Sequence, residues 1–362
     1  MSEFRRRLMI QGGGTGGKYI KFKDPVVEQI CISKWSSDGI GLTPEDAAKV
    51  TDIGTTFRGN TEITSFDELD YFLKVKSLGQ YAFAECHSLT SVDVSNITNM
   101  DSRVFSGCMS LDYVIGLDRI ITMNTTVFYN ALLTDMNICM PNLTGVLRWG
   151  VFSGTCIKQV SNLGNITSVG VGAGANNQGT FYNTKNLRKV VLPNSVVHIG
   201  TYCFNNSGLT EINLHSLQKI DNFAFSDCVN LNIEELLLPN ITSVGDDAFR
   251  DVPIKKITNL GSITYAFKLN NKNVEYVRLP STVTSAANFA FNQCSSLKTL
   301  IIDAVEPFPI TEYFIDSSDP IKNGNGFVYV PDESVESYRN ATNWSAFASQ
   351  IKPISEFVEP NE

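Results

Sequence analysis
The chain has 362 residues, whereas a single compact core rarely grows past about 250–300. Its 43% hydrophobic and 18% charged residues allow a large interior and exclude a disordered chain. With 29 basic and 37 acidic residues the net charge is −8, which argues against nucleic acid as the main partner, because phosphate binding needs a basic face.

Charge is spread unevenly along the chain. Residues 1–24 hold six basic side chains (Arg5, Arg6, Arg7, Lys18, Lys21 and Lys23) and two acids, whereas residues 303–362 hold three basic and eleven acidic ones. The apolar stretch Leu8–Ile10 falls well short of the ~7–15 residues of a secretion signal, so export by that route is not expected. No run approaches the ~18 apolar residues of a membrane span. Gly12 to Lys18 spells a phosphate-loop core, but Tyr19 stands where Ser or Thr is needed. The stretch Ile20–Pro25 then alternates like a strand and stops at proline, where a phosphate loop requires a helix. Residues 1–24 therefore read as a basic, glycine-tethered segment. Thr43-Pro44-Glu45-Asp46 is a helix start, with Thr as N-cap and Pro in the first turn.

From there on, the sequence repeats. Phenylalanines recur at 57, 83, 105, 128, 152, 181, 204, 225, 249, 267, 291 and 314, a spacing near 23 residues. Around them one phrase returns, clearest in Leu78-Gly79-Gln80-Tyr81-Ala82-Phe83-Ala84-Glu85-Cys86-His87-Ser88-Leu89-Thr90-Ser91-Val92-Asp93-Val94. It comes back at Ile220–Leu231 and Ala290–Ile302. Apolar pairs such as Val92/Val94, Val190/Leu192 and Val277/Leu279 alternate with period two, which predicts a short strand with one buried face. The Ala-Phe-x-x-Cys-x-x-Leu piece spaces apolar groups by three, which predicts one short helical or 3₁₀ turn. Pro-Asn at 141–142, 193–194 and 239–240 ends the strand. Such a unit cannot bury its own apolar face, but stacked copies can, with parallel strands ~4.8 Å apart.

The phrase resembles the BspA-type leucine-rich repeat, and the resemblance covers about residues 53–330. It implies an α/β solenoid with one parallel strand and one short turn per coil. The coils at 128 and 181 lack the Cys, the coil at 267 is short, and residues 169–180 carry an insertion. Four segments are expected: the tethered 1–24; an N-terminal cap over 25–52; the solenoid over 53–325; and a strand-helix cap with an acidic tail over 326–362. Trp35 to Asp46 resembles the calcium-loop-like segment that precedes such repeats, but in degenerate form, with Ser36, Asp38 and Ile40 at its ligand positions.

None of the sequence motifs points to catalysis. Four of the eight cysteines (86, 108, 228, 294) sit three residues after the repeat Phe, which predicts a ladder of buried thiols. His87, His198 and His215 have no partner set by spacing, and no metal or cofactor is expected. Asn96, Asn142 and Asn240 open sequons at one repeat position, which turn geometry explains.

The candidate binding face is the set of positions pointing away from the core. It runs through Ser91/Asp93, Tyr113/Ile115, Asp135/Asn137, Gln159/Ser161, Lys189/Val191, Glu211/Asn213, Glu235/Leu237, Lys256/Thr258, Tyr276/Arg278 and Thr299/Ile301. Tyr113, Lys189, Glu211, Glu235, Lys256, Tyr276 and Arg278 are its principal residues. Bacterial and protist surface adhesion is what the resemblance implies for function. The head Met1–Ile10 is similar to the starts of phage-encoded proteins. The expectation is therefore a non-catalytic, displayed binding module, anchored in a virion by residues 1–24. Its expected partners are virion or surface proteins at the anchor and a host protein or glycan on the solenoid, with self-association left open. The alternatives are a bacterial surface adhesin and a glycan-active enzyme.

Overall fold
The computed structural model describes residues 17–172, 179–315 and 320–359; Arg5, Arg6, Arg7 and half of the 169–180 insertion lie outside them. The chain winds as a parallel β-solenoid of about twelve turns. Each regular coil has two short strands where sequence periodicity showed one. The first face runs from Ser65–Phe66 through Ser91–Asp93, Tyr113–Ile115 and Asn137–Cys139 to Ile351–Pro353. The second runs from Ser77–Leu78 through Asn99–Met100 and Thr122–Met123 to Ser285–Ala286. Every described pairing is parallel and joins equivalent residues of neighbouring coils, as in Ser65↔Ser91↔Tyr113 and His198↔Lys219↔Ser243. Ile/Val-Thr-Ser after Pro-Asn supplies the second face, at two or so residues per strand too brief for period two to register.

The third side of each coil is a turn, and it is not a helix. Tyr81 and Glu85, two residues either side of Phe83, both have left-handed backbone, with φ of 65° and 63°. The same positions around Phe128 (Thr126, Asn130), Phe204 (Tyr202, Asn206) and Phe225 (Phe223, Asp227) are also left-handed. The alternation divides the backbone donors. Ala82, Ala84 and Cys86 donate three residues back within the coil, to Gly79, Tyr81 and Phe83. Tyr81, Phe83 and Glu85 donate across to Ser102, Val104 and Ser106 of the next coil. Spacing by three thus reflected local 3₁₀-type bonds, but every second N–H points along the stack, so no helix develops.

Nine repeat phenylalanines, from Phe57 to Phe249, form one column of stacked rings in the interior. Successive centroids are 5.2–5.6 Å apart, the ring planes lying within 13° of parallel. The offset stack suits the aromatic quadrupole. It breaks after Phe249, where the next Phe comes only 18 residues later, and Phe291 meets Phe314 edge-on at 81°.

The repeat cysteines are buried and do more than fill space. The thiols of Cys86, Cys108 and Cys228 donate to the carbonyls of Phe57, Phe83 and Phe204, one coil back, at 2.9–3.0 Å. In the short coil at 267 the buried Asn271 takes over, its amide donating to the Phe249 carbonyl at 2.9 Å. The sequon residues act likewise: Asn96, Asn142 and Asn240 each donate a side-chain N–H to a carbonyl of the preceding coil.

Two caps close the stack. Helix α1 (Pro25–Trp35) and helix α2 (Pro44–Lys49) cover the first coil, and Trp35 packs on Phe57 and Phe72. Thr43 caps α2 through the Asp46 N–H, as the sequence predicts. Residues 18–24 are not a loose tether. Ile20 is buried and its N–H donates to Leu42, Lys18 pairs with Asp38 at 2.6 Å, and Lys23 pairs with Asp67 at 3.1 Å. Asp24 joins cap to solenoid. One carboxylate oxygen caps α1 through Val26 and Val27; the other accepts from the Thr64 and Ser65 N–H groups and the Thr64 hydroxyl, on the edge of the first strand. At the far end, helix α3 (Val335–Asn340) and the following turn bury Tyr338 and Trp344, which donate to the carbonyls of Ala304 and Phe308.

Phe128→Ala opens a hole in the middle of the ring column and is expected to cost about 3–5 kcal/mol, measured by denaturant unfolding. Asp24→Ala strips acceptors from a helix start and a sheet edge, for about 2–3 kcal/mol. Burial alone would raise the Asp24 carboxyl, but the bonds from Thr64, Val27 and Val26 outweigh it and hold it below the ordinary range. Its stabilisation is therefore present at neutral pH and lost as pH falls below about 4. Asp24→Asn is expected to flatten that acid loss in melting curves taken against pH.

Candidate functional site
The outward side chains of the first face lie on a framework fixed by the core beneath them. Tyr113 is 58% exposed, with Ile115 beside it on the same strand. In the next coil the strand is Asn137–Cys139 with Ile138 buried, so the outward pair is Asn137/Cys139 and not the Asp135/Asn137 read from the sequence. Asp135 precedes the strand in left-handed conformation (φ 54°), which shifts the reading by two. Lys189 and Glu211 stand opposite in register and pair at 2.6 Å. Both are well exposed, so the pair adds little to stability and remains open to exchange.

Further along, register places Glu235 beside Lys256, as sequence spacing implied. Glu235 accepts from the Thr258 hydroxyl, while the neighbouring Lys255 and Glu234 pair at 3.3 Å. Arg278 forms a fork on Asp303, with N···O distances of 2.9 and 3.0 Å. Three positions expected to be open are covered; one is Asp93, buried where its carboxylate accepts from the Ser95 N–H. Tyr276 is only 9% exposed and Ile301 is buried, because the chain returns after its last strand and lays Phe357 over them. Burial pushes the Tyr276 phenol up. Period-two patterning cannot foresee a cover supplied by residues far downstream.

Glu235, Lys256 and Tyr276 line a surface groove of about 620 Å³, which Glu234, Glu275 and Lys298 extend and Glu359 rims. Tyr113, Lys189 and Glu211 lie in earlier coils and do not enter it. Of the expected anchor residues, Lys18 pairs with Asp38 of the cap and Lys23 with Asp67 of the first coil, Lys21 lies between them, and Arg5, Arg6 and Arg7 fall outside the described residues.

The degenerate loop is held without a metal ligand set. Asp38 accepts from Lys18, Tyr19 and the Ile40 N–H, and the Lys18 bond foremost draws its carboxyl far below the usual range. Asp46 closes the loop onto the Ser37 N–H and hydroxyl. Among the described residues no group of three His, Cys, Asp or Glu is placed to hold a metal ion. His198 has a partner that spacing did not reveal: Asp221, one coil on, at 2.9 Å, which Lys219 also contacts. Among the described residues no helix is long and apolar enough to cross a membrane.

The BspA-type leucine-rich repeat region matches at residues 51–178, 174–266 and 263–320, six copies in all, and the chain belongs to this family. Among solved structures, a leucine-rich repeat protein from Bacteroides ovatus aligns at TM-score 0.50 and 16% identity, covering 83% of this chain and 86% of that one. A leucine-rich cell surface protein from Faecalibacterium prausnitzii aligns at TM-score 0.41 and 17% identity over 83% and 81%. The pneumococcal vaccine antigen PcpA aligns at TM-score 0.31 and 18% identity over 77% and 70%. Curated proteins give no match.

Thiol labelling tests the cysteine placement. Burial pushes Cys86 and Cys228 up to about 12, so they stay protonated and unreactive. Cys139 is exposed and is expected to react at once with a thiol reagent, whereas Cys86, Cys108 and Cys228 react only on unfolding.

Proposed function
We propose that this chain is a non-catalytic recognition protein of the adhesion type, displayed at a bacterial surface, whose first face meets a surface protein or glycan. One observation carries the reading. Inward positions repeat coil after coil as Phe, Leu, Val and Ile, while the outward ones change at every coil. Tyr113, Asn137, Gln159, Lys189, Glu211 and Glu235 succeed one another on strands at fixed spacing. A rigid ladder with varied, exposed side chains is suited to recognition by summed contacts, as in other solenoids. The family's association with adhesion supports the same reading. An anchor in a virion would rest on residues 1–24, of which Lys18 pairs with Asp38 of the cap and Lys23 with Asp67 of the first coil, both through exposed side chains.

The test is binding of purified protein to bacterial and epithelial cell surfaces. Tyr113→Ala with Lys189→Ala and Glu211→Ala is expected to reduce binding at least tenfold with an unchanged melting temperature. Undiminished binding by this triple variant overturns the face assignment. Detection of the protein in phage particles, and not on producing cells, overturns the surface setting.

A further inference from the structure
Beyond the last strand, residues 354–359 turn back across the first face. Beneath them lie Tyr276, Ile301 and Tyr329, on three adjacent strands, with Ile301 directly opposite Tyr329 in register. These three form an apolar cluster of their own, on the far side of the sheet from the main core. The positions equivalent to Tyr276 in earlier coils carry Lys189, Glu211, Glu235 and Lys256, and the column of Ile301 and Tyr329 carries Ile115, Val191, Leu237 and Arg278, so here apolar residues of both columns meet. The patch lies past the end of the parallel ring column, and the strand ladders beneath it already join these coils.

Phe327, Ile354 and Phe357 pack against the patch, and Phe357 is the tail's aromatic contribution. Phe357 lies 5.1 Å from Tyr329 and 5.8 Å from Tyr276, centroid to centroid, and Ile354 packs beside it. The hold is slight. The Ser355 N–H donates to Asp332 at 3.1 Å and the Phe357 N–H to Ile354 at 2.9 Å. Among the described residues no backbone hydrogen bond ties 356–359 to the sheet. Val358 is 82% exposed, and Glu359 reaches the rim of the groove that starts at Tyr276.

From this arrangement we infer that the Tyr276–Ile301–Tyr329 patch and its groove are a docking site for an extended peptide of a partner protein. The peptide carries an aromatic side chain between carboxylates, and the chain's own Glu356-Phe357-Val358-Glu359 occupies the site in cis. The ring fills the patch, and a bound peptide's carboxylates face a groove lined by Lys255, Lys256 and Lys298 as well as by Glu234, Glu235 and Glu275. Among the described residues, Lys255 and Lys298 form long, exposed pairs with Glu234 and Glu275, at 3.3 and 3.6 Å. Such pairs exchange readily for a ligand's carboxylate. A tail tethered this closely has an effective concentration on the order of millimolar, so it masks the site from weaker partners until it is lifted. The inference rests on the recognition reading only in placing a ligand on the first face. Tyr113, Lys189 and Glu211 lie outside this groove, so either can fail alone.

The probe is a fluorescein-labelled peptide with the sequence of residues 353–362, followed by anisotropy against the full chain. Phe357→Ala is expected to bind it at least tenfold more tightly than the unaltered chain. The same peptide with alanine in place of its phenylalanine is expected not to bind. Asp332→Ala, which frees the start of the tail without touching the patch, is expected to give an intermediate gain; circular dichroism checks that both variants keep the solenoid. A folded Phe357→Ala chain that fails to bind the peptide overturns the proposal and makes the tail a structural cap. A concentration-dependent dimer of the unaltered chain, lost in Phe357→Ala, overturns it in favour of a second copy as the occupant.

Discussion
Each coil has to satisfy half of its backbone with the coil above and half with the coil below, and that requirement fixes the rest of the structure. In the turn the demand is met by alternation: one N–H closes a local bond, the next crosses to the neighbouring coil. Alternation requires left-handed residues at regular places, which is why Asn, Asp and Gly recur there; Tyr81, Tyr202 and Phe223 accept the same conformation. A helix in that segment would direct all its donors inward along one coil and leave the stack without lateral bonds. The Phe rings set the same spacing from inside, at 5.2–5.6 Å along most of the column. Backbone and side chains therefore agree on one pitch, and the cysteine thiols and sequon amides add bonds at that pitch.

A stack of this kind is stable along its length and exposed at its ends, because the terminal coils have no neighbour on one side. Asp24 answers this at the first coil. Its carboxylate supplies the acceptors that a preceding strand would have offered to Thr64 and Ser65, and with its other oxygen starts the helix that covers the ring column. The last coil is closed by Tyr338 and Trp344, whose polar atoms reach the carbonyls of Ala304 and Phe308 while their rings cover the interior.

What the sequence revealed followed from how often each feature is repeated. The Phe column, the thiol ladder and the first-face strands recur many times, and their period is visible without a structure. The second-face strands are two residues long in most coils, too short for alternation to show. Features that occur once were hidden. Nothing near Asp38 announced Lys18, twenty residues earlier, as its partner, and Asp24 read as the end of a tether. The face at Lys189 and Glu211 was legible because both residues sit in regular coils of nearly equal length. Asn137/Cys139 was misplaced by two because left-handed Asp135 delays the strand, and Tyr276 and Ile301 were read as open because their cover comes from Phe357.

The same division separates stability from recognition. Every inward position is constrained by two neighbouring coils, so a change at Phe128 or Cys108 is felt above and below. An outward position touches only its ladder neighbours through exposed pairs worth little, so Tyr113, Gln159 or Glu211 can vary with small effect on the fold. A solenoid can thus take on a new partner by changing residues that the core does not use, and the long first face offers one such choice per coil. Tyr276, Ile301 and Tyr329 depart from this arrangement by bringing three apolar outward positions together, since a contiguous apolar patch lowers solubility unless something covers it. The tail contributes one ring to that cover, so the most apolar part of the face is also the part whose exposure depends on the least backbone bonding.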